Sequence, residues 1–429
     1  MGAGIYKFAP SVASSTSSQW VFLSLWAAGG LLSLGGALCY AELASTYPQS
    51  GGDVVYLKKA YGGWAGFLFG WAQLTVTRPA DIATMTLVFA QFFCVLTKVS
   101  PTTTFLDISL LKWIATATIL LLTFINMAGI RFEKWTQNLL TVLTISGIIF
   151  ILILAFFFYQ PTPVETTGFK AIETTEFKAT FPISVAIIFV LFTYGGWMEI
   201  AYVTSDVKEP SKNVLKSILW GLGVVTLLYL LLNSAFLYTL GYTGVATSVS
   251  VATDTVAKIL PRYAVPFVGG LICLSALSST NGLIFTGSRI SEALGREYRL
   301  FQKLHPQKSE QTTKQPTPLL ALLLQGIIAI AIVFCFGSAL ETIIYMSAIV
   351  YTFYMATTLS VIMLRYKDPH RFRPYRVTGY PFTPLLFAGV CLFLIYGAIN
   401  YQPIPTLVAC GIVLVGLPFY FWSQLLEKN

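Results

Sequence analysis

Two short glycine-bearing stretches hold much of the chemistry in this sequence. One is Gly2-Ala3-Gly4 followed by Ile5-Tyr6-Lys7, and the other is Phe192-Thr193-Tyr194-Gly195-Gly196-Trp197 within "FVLFTYGGWMEIAYVTSD". Glycine weakens a helix by roughly 1 kcal/mol relative to alanine, so each stretch predicts a break in an otherwise apolar helix. At membrane depth a break frees backbone groups, which persist only where they face protein or a water-filled cavity. Freed amides at a half-helix N-terminus suit an anion, and freed carbonyls suit a cation.

Ionisable residues add to this set, because a charge inside a membrane span costs several kcal/mol unless paired. Lys7 follows the first break and Glu199 the second, while Arg78 and Asp81 lie mid-helix in "TVTRPADIAT". Three residues apart, Arg78 and Asp81 share a helical face, and the spacing predicts a mutual pair serving as a structural clamp beside Pro79. Glu199 is read either as a gating residue or as a solvated group in an inner vestibule. Lys7 is a coupling or gating candidate.

The elements that must position these groups are membrane helices. Of 429 residues 55% are apolar and 10% charged, with a mean hydropathy of +0.72; soluble domains carry roughly a quarter charged residues. Apolar runs long enough to cross a bilayer recur near 19–41, 63–96, 112–130, 135–159, 182–203, 213–240, 263–290, 318–337, 341–364, 382–399 and 404–423, after a short first segment at 5–13. The chain therefore reads as an all-α polytopic membrane protein with one transmembrane domain over 1–429. With a cytoplasmic N-terminus, nineteen Lys and Arg fall in inside loops and six outside. That split follows the positive-inside rule and predicts both termini in the cytoplasm. The net charge of +9 then reflects orientation and anionic lipid, with no nucleic-acid partner.

The six cysteines lie in apolar segments without a CxxC pair, and His305 and His370 sit in separate loops. The cysteines read as buried small residues, and no metal or other cofactor is expected. No nucleophile-base set, H-E-x-x-H or phosphate loop is present in context, which excludes the common enzyme classes. A channel would show a filter of repeated carbonyl or charged rings, and none is visible.

The breaks fall in segments one and six, equivalent members of two five-helix halves, 1–159 and 182–366, with two extra helices over 382–423. Paired interruptions of this kind point to a secondary transporter with inverted repeats, and a zwitterionic α-amino acid would fit both kinds of freed backbone group. Gly29, Gly30, Gly35 and Gly36 in the second segment read as close-packing positions.

Four stretches, "GAGI", "ALCYAELASTYPQSGGDVVYLKKAYG", "TYGGWMEIAYVTSDVKEPSKN" and "NGLIFTGSRISEALGREYRLFQKLH", together resemble the L-type amino acid transporter family of the amino acid, polyamine and organocation superfamily. The likeness covers residues 2 to about 310. It implies a LeuT-like fold with helices one and six unwound. It also implies a substrate carboxylate on the amides of Gly2, Ala3, Gly4 and Ile5, and an amino group on carbonyls around Phe192, Thr193 and Tyr194, near Gly195 and Gly196. Phe192 stands at the family's aromatic gate. Two departures are evident: Met198 replaces the asparagine usual after GGW, and Thr144 stands where many members carry a helix-five lysine. With that lysine absent, Thr144 and the hydroxyls of Ser278, Ser279 and Thr280 in "LSSTNG" form a candidate sodium site. An inverted-repeat carrier has a half-helix ahead of its first break, so an apolar half-helix upstream of Met1 is expected.

The resulting expectation is alternating-access transport of amino acids across the cell inner (cytoplasmic) membrane, with neutral amino acid exchange or uptake as the first reading. Sodium- or proton-coupled uptake of cationic amino acids or polyamines is the alternative, and a channel or membrane sensor the non-carrier one. The expected partners are a small-molecule amino acid and the bilayer. Without an external cysteine near helices three and four, a disulfide-linked ancillary subunit is not expected.

Overall fold

A computed structural model describes residues 4–49, 51–100, 102–127, 130–160, 181–202, 204, 207–305 and 318–428. In chain order the elements are α1 (Gly4–Ala13), α2 (Gln19–Thr46), α3 (Asp53–Tyr61), α4 (Gly63–Ala72), a π-helical stretch Gln73–Thr77, α5 (Arg78–Thr97), and a two-strand antiparallel hairpin of β1 (Thr104–Phe105) and β2 (Ile108–Ser109). Then come α6 (Leu110–Met127), α7 (Ile130–Ile153) with a π-helical end at Leu154–Phe158, α8 (Ile183–Thr193), α9 (Glu199–Tyr202), α10 (Pro210–Thr247), α11 (Val251–Ala257) and α12 (Pro261–Glu297). A 3-10 turn at Arg299–Leu304 leads to α13 (Leu319–Cys335), α14 (Ala339–Lys367), α15 (Phe382–Tyr401) and α16 (Pro403–Lys428).

Among the described residues nine helices are long and apolar enough to cross a membrane, and α8 and α13 are shorter apolar ones. Every expected apolar segment has a helical counterpart. The helices run past the apolar stretches that reveal them: α2 reaches Thr46, α12 reaches Glu297 and α14 reaches Lys367. Polar residues continue a helix beyond the hydrocarbon layer, where hydropathy no longer reports it. For the same reason α3, with sequence DVVYLKKAY, is absent from a search for apolar runs.

Local chemistry sets the ends. Ser18 caps α2 by accepting from the Val21 amide at 3.3 Å. At α14 the sequence S-A-L-E acts as a capping box: Ser338 accepts from the Glu341 amide, and Glu341 reaches back to the Gly337 amide at 3.2 Å. The α3–α4 corner turns at Gly62, whose φ of +104° is strained for any side chain.

The larger of two apolar clusters among the described residues includes α1, α2, α8 and α10, where Phe8 stacks on Phe189 at 5.6 Å and Trp26 meets Tyr194 and Tyr229. The α2 glycines serve this packing, since a Cβ on Gly29 would lie 2.3 Å from Val190 and one on Gly30 2.6 Å from Thr226. Leu121, Phe124, Phe157 and Trp220 point outward, as residues facing lipid acyl chains do.

Polar ties gather where α2, α3, α12 and α14 meet. Lys58 pairs with Glu297 at 2.7 Å. Glu42, almost fully buried, accepts from Arg365 at 2.8 and 2.5 Å and from the Val377 amide at 2.6 Å. The Tyr40 hydroxyl donates to buried Asp53 at 2.5 Å, and the Thr357 hydroxyl donates to the same oxygen. All six cysteines are free; Cys335, at the end of α13, is exposed and Cys410 half-buried, contrary to the reading of all six as buried.

Candidate functional site

Both glycine-bearing stretches reach one cavity. Its volume is about 540 Å³, and its wall includes Gly4 of α1 and Phe192, Thr193, Gly195 and Gly196 of the α8–α9 segment. The two stretches also touch: a Cβ added to Gly4 would lie 2.9 Å from the Thr193 hydroxyl oxygen. Gly2 and Ala3 lie outside the described residues. Ile5, also assigned to the first break, is buried in the apolar core and absent from the wall.

The second break is built from the sequence in a simple way. Helical bonding in α8 ends as the Tyr194 amide reaches the Val190 carbonyl and the Gly195 amide tightens onto Phe192 at 3.0 Å. Gly196 then takes φ +103°, and α9 restarts at Glu199. Among the described residues the amides of Gly196, Trp197 and Met198 donate to no backbone carbonyl. Gly195 and Gly196 are exposed on a segment lining the cavity, so their backbone is open to a ligand. On the opposite side the Tyr194 hydroxyl donates to the Trp26 carbonyl at 2.9 Å and Tyr229 to the Thr193 carbonyl at 3.2 Å. These bonds hold the break rigid where it meets protein. Tyr194 itself faces this packing, away from the cavity.

The described part of α1 starts at Gly4, which lies at the cavity wall.

The expected Arg78–Asp81 pair is not formed. Arg78 instead spans 121 positions to Glu199, with Nη1 3.0 Å from Oε1 and Nη2 3.5 Å from Oε2, and its guanidinium sits 5.7 Å from the Tyr202 ring centre. Side chains three apart on a helix are neighbours, but a bidentate fit requires the planar fork to meet a carboxylate end-on, which α9 supplies. Glu199 is thus an ion-pair partner at the wall, 23% exposed against 4% for Arg78. Asp81 is partly buried, lines the same cavity, and has no hydrogen bond or ion pair among the described residues.

Of the hydroxyl residues, Ser278 and Ser279 line the cavity. Ser278 accepts from Gln137 at 3.1 Å and Ser279 donates to the Ser275 carbonyl at 3.0 Å. Thr144 and Thr280 are not part of the wall; each is buried and donates to the carbonyl four residues earlier. Lys7 is partly buried in α1 and also lies off the wall. The structure therefore joins Ser278 and Ser279 to Gln137 and Thr141 and leaves Thr144 outside. Among the described residues no group of three His, Cys, Asp or Glu could hold a metal ion.

Sequence reasoning did not single out Gln73, Thr77, Gln137, Ser347 or Tyr354, all of which line the cavity. Gln73 and Thr77 bracket the π-helical stretch, a form often found at functional sites, for which composition gives no signal. Ser347, Tyr351 and Tyr354 recur at helical spacing along α14, a signal present in the sequence but indistinguishable there from ordinary packing.

A membrane-spanning helical bundle with a polar-lined internal cavity, walled by an interrupted helix and by Gly4 of α1, defines the class: a polytopic all-α protein built around a small-molecule site. The sequence profile described as "Amino acid permease" matches residues 1–417, and the chain belongs to this amino acid permease family. Similar proteins include the b(0,+)-type amino acid transporter 1 of Mus musculus, 30% identical over 443 residues covering all of this chain and 87% of the relative, and that of Homo sapiens, 30% identical over 441 residues with the same coverage. The large neutral amino acids transporter small subunit 2 of Mus musculus is 31% identical over 433 residues, covering 98% of this chain and 77% of the relative. The chain is a multi-pass membrane protein that transports amino acids, and these relatives are named as transporters, not enzymes.

Proposed function

We propose that the chain is an alternating-access carrier of the cytoplasmic membrane that exchanges amino acids, with both termini cytoplasmic. The observation carrying this reading is the convergence of Gly4 and the Thr193–Gly196 break on one cavity. In this reading the α1 amides hold the substrate carboxylate, backbone of the second break holds its amino group, and Phe192 covers the occupied site. Both ends of the zwitterion are then read by backbone, which leaves the side chain to the rest of the wall. The nineteen-to-six split of basic residues supports the orientation. The two five-helix halves, 1–159 and 182–366, supply the moving parts.

A second reading is favoured by the hydroxyls of Ser278 and Ser279 in the cavity: sodium-coupled uptake, with the ion held by oxygen ligands. The relative named a small subunit belongs to a larger assembly; this chain has no cysteine between Cys94 and Cys273, so we assign it no disulfide-linked partner at the helix three to four connection.

The test is radiolabelled amino acid uptake into proteoliposomes, with and without internal amino acid and with sodium or choline outside. Exchange gives saturable accumulation that requires internal substrate in both salts. Accumulation in empty vesicles driven by a sodium gradient supports the second reading, and non-saturating flux overturns both.

A further inference from the structure

Among the described residues three charged side chains line the cavity: Arg78, Glu199 and Asp81. Arg78 and Glu199 satisfy one another through a two-pronged contact at 3.0 and 3.5 Å. The remaining carboxylate, Asp81, lines the cavity one helical turn further along α5 and, among the described residues, meets no cation within ion-pair distance. With one guanidinium against two carboxylates, the wall carries an excess negative charge. A carboxylate at this depth whose nearest guanidinium, Arg78, is already committed to Glu199 is costly, and the cost falls when a cation enters beside it. The same cavity holds groups with acceptor capacity to spare: the Oε1 atoms of Gln73 and Gln137 are buried without a hydrogen-bond partner, and both residues line its wall. Buried acceptors of this kind call for a donor from the ligand.

We propose that Asp81 reads the side chain of the substrate and selects cationic amino acids, those carrying an amine or guanidinium such as lysine, ornithine or arginine, over neutral ones. This rests on the carrier reading above, in which backbone of the two breaks holds the α-carboxylate and α-amino group and the side chain is left to the rest of the wall. The first expectation from sequence, a neutral substrate, followed from the resemblance to L-type amino acid transporters; a carboxylate in the wall outside the Arg78–Glu199 pair changes the charge of the pocket. The Arg78–Glu199 pair takes no net charge from this balance, so a cationic side chain meets Asp81 without facing an uncompensated guanidinium. An ammonium or guanidinium also carries several N–H donors, the complement of a wall that holds a carboxylate and orphaned amide oxygens.

The experiment compares initial rates of radiolabelled lysine and leucine uptake by proteoliposomes containing the full chain, Asp81→Asn or Asp81→Glu, each loaded with unlabelled lysine plus leucine. Reconstituted amounts are matched, and folding is checked by size-exclusion elution in detergent. Removing a charge-assisted hydrogen bond within a desolvated pocket corresponds to about tenfold or more in the rate ratio. The wild type is expected to carry lysine in preference to leucine. Asp81→Asn should lower the lysine-to-leucine ratio by about tenfold or more, and Asp81→Glu, which keeps the charge, should restore most of it.

Leucine transport without lysine transport by the wild type overturns this assignment and leaves the carrier reading standing. An unchanged ratio in a well-folded Asp81→Asn overturns it as well, and an equal loss of both substrates would place Asp81 on the α-amino group instead. Transport of neither amino acid by the wild type would overturn the carrier reading itself.

Discussion

Removing the carboxylate of Glu199 leaves the Arg78 guanidinium, 4% exposed, without its bidentate partner. A buried pair broken on one side costs about 3–5 kcal/mol. With Glu199 23% exposed and Asp81 a turn away to share the charge, Glu199→Gln should cost about 2 kcal/mol. Asp81→Asn leaves the pair intact and should change stability little by itself. In the double variant nothing opposes the guanidinium, so the loss should exceed the sum of the two by about 1 kcal/mol. Thermal midpoints of the four proteins in detergent test this coupling, and additive losses would mean that Asp81 lies outside the field of Arg78. The sequence exposed the four ionisable residues at depth but gave the wrong partner. Local spacing is visible in a sequence, whereas a contact across 121 positions depends on how α8 and α9 fold back against α5.

At the level of elements, the breaks owe their form to two different properties of glycine. Gly4 is a matter of space, with the Thr193 hydroxyl 2.9 Å from where a Cβ would sit. Gly196 is a matter of backbone, since a Cβ there meets nothing within 4 Å but φ is +103°. Gly4→Leu should therefore abolish uptake by pushing α1 off the break and filling the cavity mouth. Gly196→Ala should lower the initial rate by about tenfold through strain in the turn. Both proteins should still insert, which membrane-fraction blotting checks; full-rate uptake by either would remove that glycine from the site. The second break was legible because Gly195-Gly196 interrupts an apolar run. The π-helical stretch Gln73–Thr77 was not, because widening one turn needs no particular residue. Nor was α3, whose stability comes from packing against α4 and α14 and not from an apolar pattern of its own.

Across the whole molecule, Asp53 is the point where separate parts of the chain are tied together. It sits in α3, outside the membrane-spanning helices, fully buried, with hydroxyls donated by Tyr40 of α2 and Thr357 of α14. Tyr56 of α3, Tyr202 of α9 and Tyr354 of α14 also act on it or are acted on by it electrostatically. Burial raises its carboxyl from 3.8 to about 6, against the opposing pull of hydrogen bonds from Thr357, Tyr40 and Tyr202. The folded state thus holds the proton more tightly than the unfolded chain does. The sign follows from linkage. Stability from this group is fully present below the unfolded value, falls as pH rises from about 4 to about 6, and stays at its lower level at neutral pH. Acidifying from pH 7.5 to 5.5 should therefore recover about 1 kcal/mol in the wild type. Asp53→Asn keeps an acceptor for the Tyr40 and Thr357 hydroxyls but cannot titrate, so it should lack this gain. Other carboxylates titrate in both proteins, and the difference between their thermal midpoints at the two pH values isolates Asp53. If that difference is the same at pH 5.5 and 7.5, the carboxyl is already ionised across the range and its hydrogen bonds outweigh its burial.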